Sequence, residues 1–338
     1  MKNIAKSVLC LLLLSAASLS FAAKKSIVCV TFPGYDWVLN VLGGNASKFD
    51  VSLLQDNGTD LHSYQPSVKD LAKVSKCDML VYVGGESDEW VEKAVSNAKN
   101  KNMVVVNMME VLGDKVKEEE IVEGMQAEEE HDHDHDGDHD HDEHDAHGEH
   151  EHDEHDEHEI EYDEHVWLSL RNAAVITGVL SEKIQALDSA NAAVYKSNAS
   201  AYAKKLSALD EKASKVVASS SKKTILFGDR FPFRYFADDY ALSYYAAFVG
   251  CSAESEASFE TVVFLAKKVD ELGLNAVLTI EKSDKKIAKT VVSNTKSKNQ
   301  KILEMDSLQS ITKKEIKAGR NYLSAMEKNI EVLKTALN

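Results

Sequence analysis

The chain has 338 residues, more than one hydrophobic core usually fills, and this length predicts two domains. Its formal net charge of −17 is concentrated in one tract, because the segment from Glu128 to Glu164 contains 21 acidic residues and no Lys or Arg, which leaves +4 for the remainder. The rest of the chain as a whole therefore offers no strong net basic field to steer nucleic acid, and we expect no nucleic-acid partner.

The first 22 residues have the pattern of a secretory signal peptide. Lys2 and Lys6 precede a leucine-rich apolar run from Ser7 to Leu19, and Ser20-Phe21-Ala22 is a small-x-small cleavage signal. The run is shorter than the ~20 residues that span a bilayer, although an N-terminal membrane anchor is the alternative. Cys10 lies inside the run and does not fit a lipid-anchor site. We expect an exported protein, periplasmic or otherwise extracytoplasmic.

Residues 25 to 107 alternate between short apolar runs and helical patterns. Strands of about five residues that alternate with helices predict a parallel α/β sheet. The predicted strands are 25–32, 49–54, 79–83 and 103–107, and the predicted helices are 35–44, 68–76 and 88–100.

Residues 166 to 217 are rich in Ala, Leu, Lys and Glu, lack Pro, and predict one or two long helices, near 170–185 and 188–217. The α/β pattern then resumes. The fold class is therefore α/β, with two lobes, each a mostly parallel sheet flanked by helices, joined by a long rigid linking helix. Because a continuous helix resists bending, closure of the lobes should be small. The later predicted elements are strands 224–227, 276–280 and 301–305 and helices 233–240, 258–272, 283–296 and 313–337.

These patterns divide the chain into five segments. They are a signal peptide (1–22), an N-terminal α/β lobe (23–127), a disordered metal-binding loop rich in His, Asp and Glu (128–160), the end of the N-terminal lobe with the linking helices (161–220), and a C-terminal α/β lobe (221–338).

Eleven of the 13 histidines lie in the acidic tract. At every second or third position, with no apolar anchor, they form many interchangeable ligand sets and predict weak binding of several ions. Such a tract suits an antenna or reservoir beside a fixed site. Its histidines are His131, His133, His135, His139, His141, His144, His147, His150, His152, His155 and His158.

The other two histidines are the candidates for a fixed metal site. His62 lies in GTDLHSYQPS, after the second predicted strand, where open α/β sheets place ligands. His165 lies in DEHVWLSL before the first long helix, with Trp167 beside it to exclude water. A lone histidine is more often structural than a ligand, but two at loop–helix junctions of one lobe indicate a shared metal.

The second lobe contains no histidine, so its ligands must be carboxylates. A borderline ion such as zinc needs about four N, O or S ligands. Asp229 follows the strand TILF and Asp306 follows KILEM, while Glu281, after AVLTI, is the reserve candidate. Each of them could instead cap the next helix.

Three cysteines remain once the signal peptide is removed: Cys29, Cys77 and Cys251. Their spacing fits no zinc motif, and an odd number allows at most one disulfide. Cys29 lies in a strand-like run and suits a buried free thiol, but the sequence leaves the pairing open.

These segments together resemble the solute-binding proteins of ABC-type zinc and manganese uptake systems. The matching pieces are the signal peptide, GTDLHSYQPS, the His-rich insertion, DEHVWLSLRNA, GDRFPFRYFADDYAL and EMDSL, from about residue 25 to 338. The resemblance implies an ion bound between two α/β lobes and passed to a membrane ABC permease. The His-rich insertion is typical of zinc importers and implies Zn²⁺ rather than Mn²⁺ as the transported ligand. We expect a monomer.

The resemblance also implies a ligand set. The first two ligand histidines of the family match His62 and His165. The third position matches Asp229 when counted from the strand end, but Arg230 when counted back from Tyr235-Phe236, and Arg cannot bind a cation. We assign Asp229, with one inserted residue in the loop, and the fourth ligand maps to Asp306. Carboxylates harden a site, so manganese stays open as an alternative.

Two other functions compete with a transport receptor. An extracytoplasmic zinc buffer would act mainly through the His-rich tract. A zinc hydrolase would need an open metal position and a general base, for which Glu164 beside His165 is a candidate, but the sequence has no HExxH motif. We therefore expect a binding protein and not an enzyme.

Overall fold

The computed structural model describes residues 24–126, 161–252 and 256–338. The predicted signal peptide (1–22) and the predicted His-rich loop (128–160) lie outside the described residues, and the inferences about them stay predictions.

The first sheet has four parallel strands in the order β2-β1-β3-β4. Its central strands are short apolar runs buried on both faces, the pattern expected where helices cover a parallel sheet. Ile27 at the centre pairs with Val51 on one side and Met79 on the other. The strands are β1 (Lys25–Cys29), β2 (Phe49–Leu53), β3 (Met79–Tyr82) and β4 (Val104–Asn107), and the helices are α1 (Phe32–Leu42), α2 (Val68–Val74), α3 (Trp90–Ser96) and α4 (Met108–Leu112).

Two long helices lead from the first sheet to the second. They are α5 (Leu170–Leu187) and α6 (Ala192–Ser219), and they pack against each other. Ser169 caps α5 by accepting a hydrogen bond from the Asn172 N–H. The structure thus confirms the α/β class with a long helix between two lobes.

The second sheet repeats the topology of the first, with parallel strands in the order β6-β5-β7-β8. In both sheets the carboxyl ends of the strands therefore present loops in the same arrangement. The strands are β5 (Thr224–Phe231), β6 (Ser243–Val249), β7 (Ala276–Ile280) and β8 (Lys301–Met305), and the helices are α7 (Arg234–Asp239), α8 (Phe259–Leu272), α9 (Lys286–Asn294), α10 (Lys313–Lys317) and α11 (Tyr322–Ala336).

The second lobe departs from the sequence predictions in three places. The strand predicted at 224–227 continues to Phe231, so that Asp229 lies within the strand and not after it. No strand was predicted for the run SYYAAFV, which forms β6 at the edge of the sheet. The predicted final helix is two helices, α10 and α11, because Gly319 between them has a φ of 94° that ends the first. None of the described helices is long and apolar enough to cross a membrane.

A single cluster of buried side chains runs from β1 through α5 and α6 to β8 and α11. The two lobes therefore share a hydrophobic core. A wide opening of the lobes would expose part of this core at a cost of roughly 25 cal/mol per Å² of apolar surface. The continuous core agrees with the small closure expected from a rigid linker.

Buried hydrogen bonds add to the shared core. Trp167 Nε1 donates to the Ser307 carbonyl at 2.8 Å, and the Tyr322 hydroxyl donates to the Trp167 carbonyl at 2.6 Å. Trp167, just before α5, is thereby tied to the loop after β8 and to the first turn of α11. These bonds hold the segment that carries His165 against the second lobe.

Tyr322→Phe tests the contribution of this link. The change removes the hydroxyl but keeps the ring, which packs edge-on against Trp37 with centroids 5.2 Å apart. We expect a loss of about 1–3 kcal/mol in the free energy of unfolding, because a buried carbonyl loses its donor. Urea denaturation measures the change. Tyr162→Phe, at a 45% exposed ring, is the matched control and should be within about 0.5 kcal/mol of the wild type. Equal stability of the two variants would show that the hydrogen bond from Tyr322 to the Trp167 carbonyl does not stabilise the fold.

Candidate metal centre

His62 is placed by a capped turn after β2. Asp60 precedes the 3₁₀ turn Leu61–Ser63 and accepts a hydrogen bond from the His62 N–H at 3.1 Å. This cap directs the imidazole into the molecule, where its side chain is 8% exposed. Pro66 and the capping box of Ser67 and Asp70 then start α2. The local sequence thus fixes the turn that carries His62.

His165 is held by its neighbour in sequence. Asp163 Oδ1 accepts hydrogen bonds from the His165 backbone N–H at 2.8 Å and from its ring Nδ1 at 3.0 Å. The His165 side chain is fully buried, and the ring centroid of Trp167 lies 5.2 Å away. Trp167 therefore stands where the sequence analysis expected it, beside the histidine and excluding water.

The two imidazoles meet, as the sequence analysis predicted. Their Nε2 atoms are 3.1 Å apart. Two tetrahedral bonds of about 2.0–2.1 Å to one zinc ion place two ligand nitrogens about 3.3 Å apart. The observed separation thus fits one ion bound by both rings.

Polar side chains contact the Nδ1 atom of each imidazole and so fix the orientation of both rings. His62 Nδ1 lies 2.9 Å from Ser87 Oγ and 3.5 Å from Glu164 Oε2, while His165 Nδ1 contacts Asp163. A proton held on Nδ1 leaves the Nε2 lone pair available to a metal, the arrangement seen when a carboxylate backs a ligand histidine. The protein therefore presents two preoriented nitrogen donors.

The electrostatics differ between the two rings. Burial, and then the nearby His165, lower the pKa of His62 to about 3, so this imidazole is neutral and able to ligate. Burial alone would lower the pKa of His165, but the charge and hydrogen bond of Asp163 hold it above its usual value. Burial also raises the pKa of Glu164 to about 7.

Cys251 lies beside the two histidines, and the sequence did not predict it as a member of the site. The donor atoms of His62, His165 and Cys251 all lie within 4.8 Å of one another. Cys251 follows the edge strand β6, which was not predicted, so its position at a strand end was hidden. The signal was Gly250-Cys251 directly after the apolar run YYAAFV, since ligands collect at the carboxyl ends of parallel strands.

Gln309 is a second group that the sequence analysis missed. Its Oε1 atom is 3.0 Å from His165 Nε2, and the residue is 4% exposed. Gln309 follows Asp306 by three residues, so the predicted motif EMDSL does lead to the site, but through a later side chain. This amide oxygen is therefore a further atom beside the imidazole pair that could bind a metal.

Asp229 lies on the opposite wall of a cavity that also contains His62. This cavity, of about 380 Å³, opens between the lobes, with Asp229 and Glu281 on the second-lobe side. Burial raises the pKa of Asp229. The pairing of β5 with β6 shifts register between Phe227 and Arg230, at the position where the sequence analysis placed an inserted residue. Asp229 is absent from the group of donors formed by the histidines and Cys251.

Arg230 connects the lobes at the rim of this cavity. Its Nη2 atom is 2.7 Å from Asp60 Oδ2, and its Nη1 donates to the Ser252 carbonyl at 3.1 Å. The guanidinium therefore links the turn that carries His62 to the loop that carries Cys251.

The structure does not bring Asp306 to the histidines. Asp306 pairs with Arg320 and accepts a hydrogen bond from the Leu308 N–H at 3.0 Å, facing a separate cavity. Glu281 accepts hydrogen bonds from the N–H and hydroxyl of Ser307 at 2.7 and 2.8 Å. Burial and the neighbouring Asp306 raise the pKa of Glu281. Either carboxylate would have to leave these partners in order to ligate.

An acidic cavity of about 440 Å³ leads to the site from another side. Its walls include His62, Cys251 and Tyr162 together with five glutamates. Negative potential in such a cleft concentrates cations at its mouth. Glu161, which follows the predicted His-rich loop in the sequence, is one of these glutamates. The glutamates are Glu86, Glu89, Glu119, Glu161 and Glu164.

Comparison with known proteins gives consistent matches along the chain. Residues 27–336 match the family model for zinc-uptake complex component A, periplasmic. The zinc-binding protein AdcA of Streptococcus pyogenes is 27% identical over 92% of this chain and 56% of its own length. The zinc-binding lipoprotein AdcA of Streptococcus pneumoniae is 30% identical over 96% of this chain and 59% of its own. The chain thus spans little more than half the length of these streptococcal relatives.

Other relatives match over most of their length. The high-affinity zinc uptake system protein ZnuA of Bacillus subtilis is 27% identical over 93% of this chain and 88% of its own. Among solved structures, the Zn(II)-bound ZnuA-like domain of Streptococcus pneumoniae AdcA superposes with a TM-score of 0.67 at 25% identity, over 93% of this chain and 99% of that one.

Asp163→Asn tests the orientation of His165. Asn keeps the shape and one acceptor but removes the charge that holds the Nδ1 proton. We expect binding of a divalent transition metal at the tight site to weaken by about 10- to 100-fold, the usual effect of a lost outer partner. Competition with a fluorescent chelator measures it. Asp114→Asn, at an exposed position, is the control and should leave the affinity unchanged. Wild-type affinity in Asp163→Asn would refute the role.

Proposed function

We propose that this chain, which belongs to the family of periplasmic zinc-uptake complex component A proteins, binds Zn²⁺ between its two lobes and delivers it to a membrane ABC permease. Members of this family are solute-binding receptors and not enzymes. The observation that carries the proposal is the pair of buried imidazoles, whose Nε2 atoms lie 3.1 Å apart and whose Nδ1 atoms have partners. Such a pair is built to hold one ion.

Zinc suits these donors better than manganese. Imidazole nitrogens select zinc and related transition metals, while Mn²⁺ favours sites of carboxylate, carbonyl and water oxygen. The described residues place two imidazoles together, whereas the predicted carboxylates lie apart from them. The relatives from Streptococcus and Bacillus carry zinc in their names. We therefore assign Zn²⁺ as the cargo, with Mn²⁺ as the alternative.

The proposed ligand set begins with His62 and His165. Asp229 remains our carboxylate candidate, because it lines the same cavity as His62 across the gap between the lobes. Asp306 and the reserve Glu281 would need to break their contacts with Arg320 and Ser307 first. We rank them below Asp229 for this reason.

Capture would proceed with little movement of the lobes. The acidic cavity raises the local cation concentration, and the continuous core keeps the lobes together. Entry and release would then depend on the loops that carry His62 and Cys251, which Arg230 links. A permease that engages these loops could release the ion without separating the lobes.

The signal-peptide pattern at the start of the sequence indicates where the protein works. We propose that the protein is exported, works outside the cytoplasm as a monomer and has its leader removed after Ala22. The Streptococcus pneumoniae AdcA relative is named a lipoprotein, so a lipid-anchored form is the alternative. The His-rich tract would act as an antenna that holds several ions near the acidic cavity.

Loss of either histidine should abolish tight binding. We expect His62→Ala and His165→Ala each to lower zinc affinity by more than about 100-fold, because the ion loses a ligand. Loss of a residue that only hydrogen-bonds a ligand lowers affinity by about 10- to 100-fold. Calorimetry against a competing chelator measures the tight site alone. His131→Ala in the tract is the matched control and should retain wild-type affinity. A fully tight site in either of the first two variants would refute the assignment.

Removal of residues 128–160 distinguishes the transport-receptor function from the zinc-buffer function. We expect the shortened protein to keep one tight zinc ion and to lose only the weak sites predicted for the tract, because ordering a chain that has no apolar anchor costs roughly 1–2 kcal/mol per residue. Elemental analysis after dialysis, with zinc and manganese in competition, gives the stoichiometry and the preferred metal. A protein that retains no zinc would instead support the buffer function.

A further inference from the structure

We propose that Cys251 supplies the third protein ligand, a thiolate, to the ion held by His62 and His165, and that this sulfur sets the preference for zinc. The inference rests on the proposed function, since it assumes that the two histidines bind the ion. It takes the register counted back from Tyr235-Phe236, in which Arg230 stands at the third position, gives that position to Cys251, and leaves Asp229 of the proposed set as the candidate for the fourth ligand.

The geometry places the sulfur within reach. The donor atoms of Cys251 and the two histidines lie within 4.8 Å of one another. In a tetrahedral zinc site with bonds of about 2.05 Å to nitrogen and 2.3 Å to sulfur, nitrogen and sulfur stand about 3.6 Å apart. Closing the difference takes a movement of about 1 Å or less in the short loop after β6.

The sequence around Cys251 brings this loop against the histidine. Gly250 has no side chain, and a Cβ atom there would lie 3.0 Å from His165 Cε1 and 2.9 Å from the Phe231 carbonyl. Any larger residue would push the loop off the imidazole. The Cys251 N–H also donates to Glu119 Oε1 at 3.2 Å, which fixes the residue from its other side.

Arg230 explains why the ligand comes from β6. The third family position, counted back from the Tyr-Phe pair, falls on Arg230 in β5, which is a cation and repels a metal. Its side chain turns to Asp60 and to the Ser252 carbonyl, beside Cys251. In the sheet Arg230 pairs with Phe248 of β6, so the end of β6 lies next to the position that β5 no longer fills.

The thiol of Cys251 is available for a metal. Cys29, Cys77 and Cys251 form no disulfide among the described residues. Cys29 and Cys77 lie in the hydrophobic core, whereas Cys251 lines the acidic cavity with His62. A metal ion deprotonates a coordinating thiol, and thiolate selects zinc over manganese. Cys251 would therefore supply the selectivity that a carboxylate would not.

Cobalt substitution of the full-length protein tests the inference. One equivalent of Co²⁺ should give the near-ultraviolet charge-transfer band of a cobalt–thiolate bond in the wild type. Cys251→Ser should lose this band and still bind cobalt through the histidines. Cys77→Ala, the matched control, should keep the band. The His-rich tract contains no cysteine and cannot produce it.

The possible failures can be told apart. Tightly bound cobalt without the band in the wild type, or a band that survives in Cys251→Ser, would overturn the thiolate ligand and leave the histidine site intact. Absence of tight cobalt in the wild type, or tight binding unchanged in His62→Ala, would overturn both the inference and the proposed function. The wild-type spectrum decides the first question even where a variant does not fold.

Selectivity provides the second measurement. Cys251→Asp replaces the soft sulfur by a hard oxygen, so the ratio of zinc to manganese affinity should fall by at least about tenfold. Competitive titration of both metals gives the ratio, and circular dichroism verifies the fold. A ratio equal to that of the wild type would show that the sulfur does not set the metal preference.

Discussion

The site depends on the contact between two imidazoles, His62 and His165, in a place that excludes water. Two Nε2 atoms at 3.1 Å cannot both belong to charged imidazolium rings, and burial keeps the pKa of His62 far below neutrality. The contact also requires that the orientation of each ring be fixed. Asp163 does this at His165 Nδ1 and Ser87 at His62 Nδ1. The rest of the fold can be understood as the support of this contact: Trp167 ties the segment of His165 to the second lobe through the Ser307 carbonyl.

The repeated topology explains why ligands from distant parts of the chain converge. Both sheets have the same strand order and offer their carboxyl ends to the gap between the lobes. His62 comes from the loop after β2, Asp229 lies in β5, and Cys251 follows β6. A shared hydrophobic core then holds these ends at a fixed distance. Binding can therefore be selective without a large closing motion, because the fold itself holds these donors close to one another.

Much of this arrangement could be predicted from local sequence, and the part that could not is non-local. His62 and His165 could be identified because they are the two histidines outside the His-rich tract. The alternation of strand and helix patterns predicted the two α/β lobes. The edge strand β6 escaped because the run SYYAAFV was assigned no element. Cys251 was missed with it, since its proximity to His165 depends on the strand. Asp306 has the expected place after a strand, but Arg320 in the loop before α11 pairs with it, a contact that strand-end patterns cannot show.

Charge balance connects the unusual features of the site. A dication in a buried site needs nearby negative charge, because desolvation of an unpaired ion costs several kcal/mol. Under the proposal, the thiolate of Cys251 and the carboxylates of Asp163 and Asp229 would supply this negative charge around zinc. Arg230 would upset this balance, but its charge is matched by Asp60 at 2.7 Å. Under the proposal, Arg230 at the third position counted back from Tyr235-Phe236 and a thiolate from the end of β6 belong to one electrostatic arrangement.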